Sequence, residues 1–232
     1  MKLRNRTGSL QAGFSLIEVL AVIVILGILA AFLIPNLTGH GELVKAQSTQ
    51  AFLSEIDAAL AEYNNEFGAY PKSEYDPKWG IDSNNTNKGA EALVQALWSS
   101  EWGGTGLSAD RFTNSDDDKS KKTIIDPNII ANGELMELAD AWGNPIAYIH
   151  RSQYGEKLSY MTLDAEAEID ETEISAYKNP ATGSYFHPRK YQLISAGEDG
   201  LFGTEDDLTN FDRGDEWDGA RRARLVVTHV AA

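Results

Sequence analysis

Phe14-Ser15-Leu16-Ile17-Glu18-Val19-Leu20-Ala21-Val22-Ile23-Val24-Ile25-Leu26-Gly27-Ile28-Leu29-Ala30-Ala31-Phe32-Leu33-Ile34 is a run of 21 residues with one charge, Glu18. A helix that crosses a bilayer needs about 20 consecutive, mostly apolar residues, so residues 14–35 are expected to form a transmembrane helix. Residues 1–13 (MKLRNRTGSLQAG) carry Lys2, Arg4 and Arg6 and no acid. Under the positive-inside rule this basic flank stays cytoplasmic and the rest of the chain lies across the membrane. A cleaved secretory signal has an apolar core of only about 7–15 residues, followed by a small-residue cleavage site. Here the run is longer and continues into Pro35-Asn36-Leu37.

The remainder of the chain is acidic. The 232 residues hold 20 Lys plus Arg against 35 Asp plus Glu, a formal charge of −15, which repels phosphate backbones and argues against nucleic acid as a partner. With apolar residues at 42%, the chain can bury a core and lies outside the compositions of disordered proteins. It contains no cysteine, so disulfides, thiol catalysis and Cys-ligated zinc are excluded. An extracytoplasmic domain without disulfides relies on its core or on a metal clip, and acidic oxygens favour a hard divalent cation.

A carboxylate within an apolar span costs about 2.5–3.5 kcal/mol at the bilayer centre and calls for a partner. Around Glu18, the stretch Gly13-Phe14-Ser15-Leu16-Ile17-Glu18-Val19-Leu20 resembles the cleavage and methylation signature of type IV pilins and pseudopilins. The resemblance implies that a prepilin peptidase cuts between Gly13 and Phe14 on the cytoplasmic side and methylates the new terminal amine. It further implies that Glu18 pairs with the terminal ammonium of a neighbouring subunit, and that Pro35 falls where the family's helix is kinked.

Beyond Pro35 the helix pattern resumes in amphipathic form over 36–68. Leu43, Ala46, Leu53, Ile56, Leu60, Tyr63 and Phe67 recur at spacings of threes and fours, the signature of one buried stripe. Gly68 and Pro71 end it. Residues 69–232 read as a globular domain with a short helix at 91–98 whose buried face is Leu93, Leu97 and Trp98, and a second short helix over 134–138. Strands are expected at 145–150, 157–163, 190–195 and 225–230. The stretch 105–122, with Ser115-Asp116-Asp117-Asp118, reads as a solvated loop. Helices followed by antiparallel strands give an α+β fold: a long N-terminal helix packed on a small antiparallel sheet, as in pilins.

Two further segments narrow the resemblance. Asp140-Ala141-Trp142-Gly143-Asn144-Pro145-Ile146-Ala147-Tyr148 is similar to a stretch of the major pseudopilin of type II secretion; physically it is a Gly-Asn-Pro turn leading into an extended segment. The segment 191–208, with Gly197, Asp199, Gly200, Gly203, Thr204, Asp206 and Asp207, looks like that family's calcium loop, placed at 195–208. The resemblance implies side-chain ligation of Ca2+ by Asp199 and Asp206, with carbonyls near Ala196, Thr204 and Asp207 completing the shell. Its spacing does not fit the EF-hand. Long insertions at about 72–88, 99–131 and 151–188 and a tail after Asn210 depart from the family pattern.

Enzyme signatures are weak. The four histidines are widely spaced and form no H-E-x-x-H, Gly106-Leu107-Ser108-Ala109-Asp110 misses the nucleophile elbow at its last position, and Gly104-Thr105-Gly106-Leu107-Ser108-Ala109 follows no strand. The expected function is therefore structural. It is a single-pass inner-membrane subunit that joins other pseudopilin or pilin copies, with membrane lipid, prepilin peptidase and an inner-membrane assembly platform as partners. Its periplasmic fibre would drive protein export. The alternatives are a type IV pilin for adhesion, motility or DNA uptake, and a membrane-anchored periplasmic binding domain.

Overall fold

The computed structural model describes residues 16–100, 102, 106–122, 124–126, 128–130, 133–163 and 168–214, side chains excepted at 27 and 29–40. Two compact units partition the chain, Met1–Leu43 and Val44–Ala232, and helix α1 (Leu16–Phe67) contributes residues to both. Gly13, Phe14 and the strand expected at 225–230 lie outside the described residues, as does the side chain of Pro35.

In the first unit, Leu16, Ile17, Val19, Leu20, Val22–Leu26 and Ile28 are all more than half exposed. Glu18 sits in the first turn of this helix, also exposed. Among the described residues no helix is long and apolar enough to cross a membrane; the span expected at 14–35 runs on through residues whose placement or side chains lie outside them.

In the second unit the amphipathic part of α1 packs as its spacing predicts. Leu53, Ile56 and Leu60 are completely buried, joined by Phe52 and Ala59. Phe67, expected on the same stripe, is exposed instead, as is Leu43 at the end of the first unit. The helix ends at Gly68, whose φ of 74° suits a residue without a Cβ and whose N–H closes onto the carbonyl of Asn64 at 2.9 Å. Polar residues of α1 fasten it to the rest of the unit. Thr49 Oγ1 accepts from the Ala141 N–H at 3.0 Å, and Asp57 accepts from the Tyr191 hydroxyl and the Asn210 amide, each at 2.8 Å.

The central sheet has the order β3 (Ala147–His150), β6 (Tyr191–Ser195), β7 (Leu208–Thr209), all antiparallel, with Tyr148 opposite Leu193 and Ile194 opposite Thr209. Strand β6 is buried along its whole length, because both faces of the sheet are covered. On one face Ile146, Tyr148, Tyr191 and Leu193 meet α1 and helix α2 (Lys88–Leu97). On the other, Ala147, Ile149 and Ile194 meet Tyr160, Ile174 and Tyr177. Those last three come from the 151–188 insertion, where β4 (Leu158–Leu163) and β5 (Ile169–Ile174) form an antiparallel pair. The insertion is thus the second layer of the core.

Helix α2 begins at Lys88 and is buried from Gly89 through Leu97, Glu91 included. Gly89 is required by close approach: a Cβ there would lie 2.4 Å from the Tyr148 carbonyl oxygen. The helix expected over 134–138 is instead strand β2 (Glu137–Leu138), which pairs with β1 (Phe112–Thr113). The loop expected to be solvated at 105–122 is partly buried: Asp116 and Asp118 are half-buried and Ser120 is buried. Contacts with distant strands override local polarity there.

Candidate functional site

The acidic loop is the connection between β6 and β7. Its entry is held by the Gly-Asn-Pro turn preceding β3. Ser195 Oγ donates to Asp140 Oδ2 at 2.6 Å, while Asp140 Oδ1 accepts from the N–H groups of Trp142 and Asn144, each at 2.9 Å. Burial pushes the Asp140 carboxyl above the ordinary carboxylate range, against the opposing pull of these hydrogen bonds. Asn144 continues the chain of contacts, its amide bonding both backbone groups of Leu163. The D-x-W-G-N-P stretch therefore acts as a bracket joining α1, the loop entry and β4.

At Gly197 the chain turns with φ of 71° and comes so close to the far side of the loop that a Cβ would lie 2.5 Å from the Asp206 carbonyl oxygen. That closure brings Asp199, Thr204, Asp206 and Asp207 together. The Asp199 N–H donates to Asp206 Oδ2 at 2.9 Å. Thr204 Oγ1 lies 3.2 Å from Asp199 Oδ1, 2.6 Å from Asp206 Oδ1 and 3.0 Å from the Leu201 carbonyl. One hydroxyl proton can satisfy only one of these acceptors. The loop thus gathers carboxylate and carbonyl oxygens, the hard donor type that divalent cations take, around a single hydroxyl.

Asp207 has a different role from its neighbours. Its Oδ2 accepts from the Tyr177 hydroxyl at 2.5 Å and from the Gly203 N–H at 2.9 Å, and lies 3.6 Å from Arg213 Nη1. Arg213 also donates to the carbonyls of Thr204 and Glu205, at 3.0 and 2.8 Å. The Asp207 side chain thus anchors the loop to the 151–188 insertion and to the segment after β7, leaving its carbonyl as the group that could serve a cation. Ala196 is fully buried at the end of β6.

A family model described as the prokaryotic N-terminal methylation motif matches residues 8–34, the stretch that contains Gly13, Phe14 and Glu18. The chain is 27% identical to type II secretion system core protein G of Escherichia coli (strain K12) over 206 residues, 87% of this chain and 91% of that protein. Against the protein of that name from Pseudomonas aeruginosa it is 32% identical over 139 residues, 60% of this chain and 73% of the relative. The chain belongs to the type II secretion system core protein G family. Its similarity to the core protein G of Klebsiella pneumoniae is 41% over 86 residues, 37% of this chain and 52% of that one. No solved structure matches significantly.

Family membership accounts for the pilin-like α+β architecture. It leaves a second polar centre unaccounted for, of which the sequence reading has only the acidic run at 115–118, taken there as a solvated loop. Glu91, Asp116 and Glu137 come together, one carboxylate oxygen of each within 4.8 Å of the others, although Glu91 sits in an apolar helix and Asp116 in an apparently exposed acidic run. The two signals in the sequence are a lone acid among Ala, Leu and Val and an unexplained Asp triplet, and only the fold connects them.

Proposed function

We propose that the chain is a structural, non-catalytic subunit of a type II secretion pseudopilus. It would be made as a single-pass inner-membrane precursor with its N-terminus cytoplasmic and residues 69–232 periplasmic. The single observation that carries this reading is the apolar helix start, Leu16–Leu26, exposed within the methylation motif. A soluble monomer rarely leaves so large an apolar surface open. Lipid covers such a surface before assembly, and helices of neighbouring subunits cover it in a fibre, where a head-to-tail contact that does not close generates a filament.

On this reading a prepilin peptidase cuts between Gly13 and Phe14, and the new amine pairs with Glu18 of an adjacent copy, which makes assembly favourable for a charge held in lipid. Pro35 supplies a bend between the membrane part and the soluble part of the helix. An inner-membrane platform adds subunits, and the lengthening fibre drives cargo outward.

Calcium would be held by the carboxylates of Asp199 and Asp206, with carbonyls near Ala196, Thr204 and Asp207 completing the shell. The ion would lock the β6–β7 connection, and its binding free energy would add to that of folding. The crowding of acceptors around Thr204 Oγ1 supports this assignment.

The test is deletion of the chain in its host, followed by complementation. Loss of exoprotein release with pilus-dependent motility and DNA uptake intact supports the secretion role. Intact release with lost motility or DNA uptake would assign the chain to a type IV pilus instead.

A further inference from the structure

One carboxylate oxygen from each of Glu91, Asp116 and Glu137 lies within 4.8 Å of the other two. Two oxygens that share a calcium ion at 2.3–2.6 Å are no more than about 5 Å apart, so the three can converge on one ion. The residues come from three elements far apart in sequence: α2, the 99–131 insertion and β2.

The arrangement is built and buried. Glu91 and Glu137 are both 0% exposed. Glu91 Oε2 accepts from the Tyr75 hydroxyl, while Glu91 Oε1, fully buried, has no hydrogen-bond partner. Asp116 shows the same division: Oδ2 accepts from the Asn84 amide at 2.8 Å and Oδ1 is buried without a partner. Glu137 is fixed by Asn87 Nδ2 at 3.1 Å and by the Ser115 N–H at 3.3 Å. Outer hydrogen bonds thus orient each carboxylate while Glu91 Oε1 and Asp116 Oδ1 keep no protein donor, the arrangement expected around a metal ion.

Among the described residues, none of these carboxylates forms an ion pair with Lys, Arg or His, and Asp118, half-buried beside them, adds a fourth negative group. A buried carboxylate cluster without a cation must either take up protons or bear an uncompensated desolvation cost.

We propose that Glu91, Asp116 and Glu137 bind a hard divalent cation, calcium by the all-oxygen donor set, at a second site separate from the β6–β7 loop. The ion ties the 99–131 insertion to α2 and β2, so that this extra surface folds as part of the core. Asp118 stands close enough to add its charge.

The test measures bound calcium per chain by equilibrium dialysis with radioactive calcium, using the full chain in detergent after chelator treatment. Two equivalents are expected for the wild type, and one each for Asp199→Asn/Asp206→Asn and for Glu91→Gln/Asp116→Asn. Glu91→Gln alone keeps the side-chain volume and removes a buried charge. It is expected to retain the wild-type circular dichroism spectrum in chelator while one of the two affinities falls at least about tenfold. A Glu91→Gln chain with unchanged stoichiometry and affinities would overturn the proposal and leave a cluster held by shared protons only. So would a folded Asp199→Asn/Asp206→Asn chain that binds no calcium. One equivalent in both the wild type and the loop variant would instead remove the loop assignment and keep this site.

Discussion

The backbone N–H of Asp199 donates to Oδ2 of Asp206 across 2.9 Å, so the two acids proposed to hold calcium are already drawn together by the loop's own hydrogen bonding. Little rearrangement is then needed on binding, and the ion's free energy goes into stability. At free calcium about 100-fold above Kd the gain is about 2.7 kcal/mol, or roughly 5–10 °C in Tm for a unit of this size. Thermal unfolding of Asp199→Ala/Asp206→Ala beside the wild type, in calcium and in chelator, should show this increment shrink to whatever other calcium sites contribute.

Gly197→Ala should be as damaging as removing a ligand. Its φ of 71° disfavours any L side chain, and the new Cβ would press on the Asp206 backbone oxygen from 2.5 Å. Strain of this kind costs about 1–3 kcal/mol. Urea unfolding in calcium should register that loss, and calcium affinity should drop with it because Asp206 is displaced.

Gly89→Ala reverses the usual helix rule. Alanine ordinarily favours a helix interior over glycine by about 0.5–1 kcal/mol, yet here its Cβ meets the Tyr148 carbonyl at 2.4 Å and the Tyr160 hydroxyl at 2.8 Å. Overpacking costs of about 1–3 kcal/mol should win, and the unfolding midpoint should move down.

Asp140 supplies a pH prediction. Burial raises its folded-state pKa above the ordinary value, so the folded chain holds this proton more tightly than the unfolded chain. Its contribution is complete below the unfolded pKa and is lost as pH rises through the folded one. Asp140→Asn cannot titrate, and its amide oxygen can still accept from Trp142 and Asn144. Urea unfolding of both chains from about pH 4 to about pH 7 should show the difference moving in the variant's favour as pH rises.

What the sequence made legible was what local chemistry decides. Apolar spacing places Leu53, Ile56 and Leu60 in the core, Gly68 ends the helix, and Gly143-Asn144-Pro145 announces a turn before β3. The acidic loop was legible because its glycines and acids lie within one short segment. The misread elements depend on distant partners. Residues 134–138 have helical spacing, but pairing with Phe112 and Thr113 makes Glu137 and Leu138 a strand. Strand β5 was missed because its Asp-Glu-Thr-Glu centre faces solvent and only Ile174 is buried. Asp116 looked solvated because Glu91 and Glu137, which enclose it, lie in other elements.

The most direct measurement is recovery of Glu18→Leu in sheared fibres from cells that carry the rest of the secretion apparatus, normalised to its level in the inner membrane. Loss of one intersubunit contact worth about 1.4 kcal/mol lowers association about tenfold, so incorporation should fall by at least that factor while membrane insertion and calcium binding stay unchanged. Wild-type recovery of Glu18→Leu in fibres would contradict the assembly role assigned to that carboxylate.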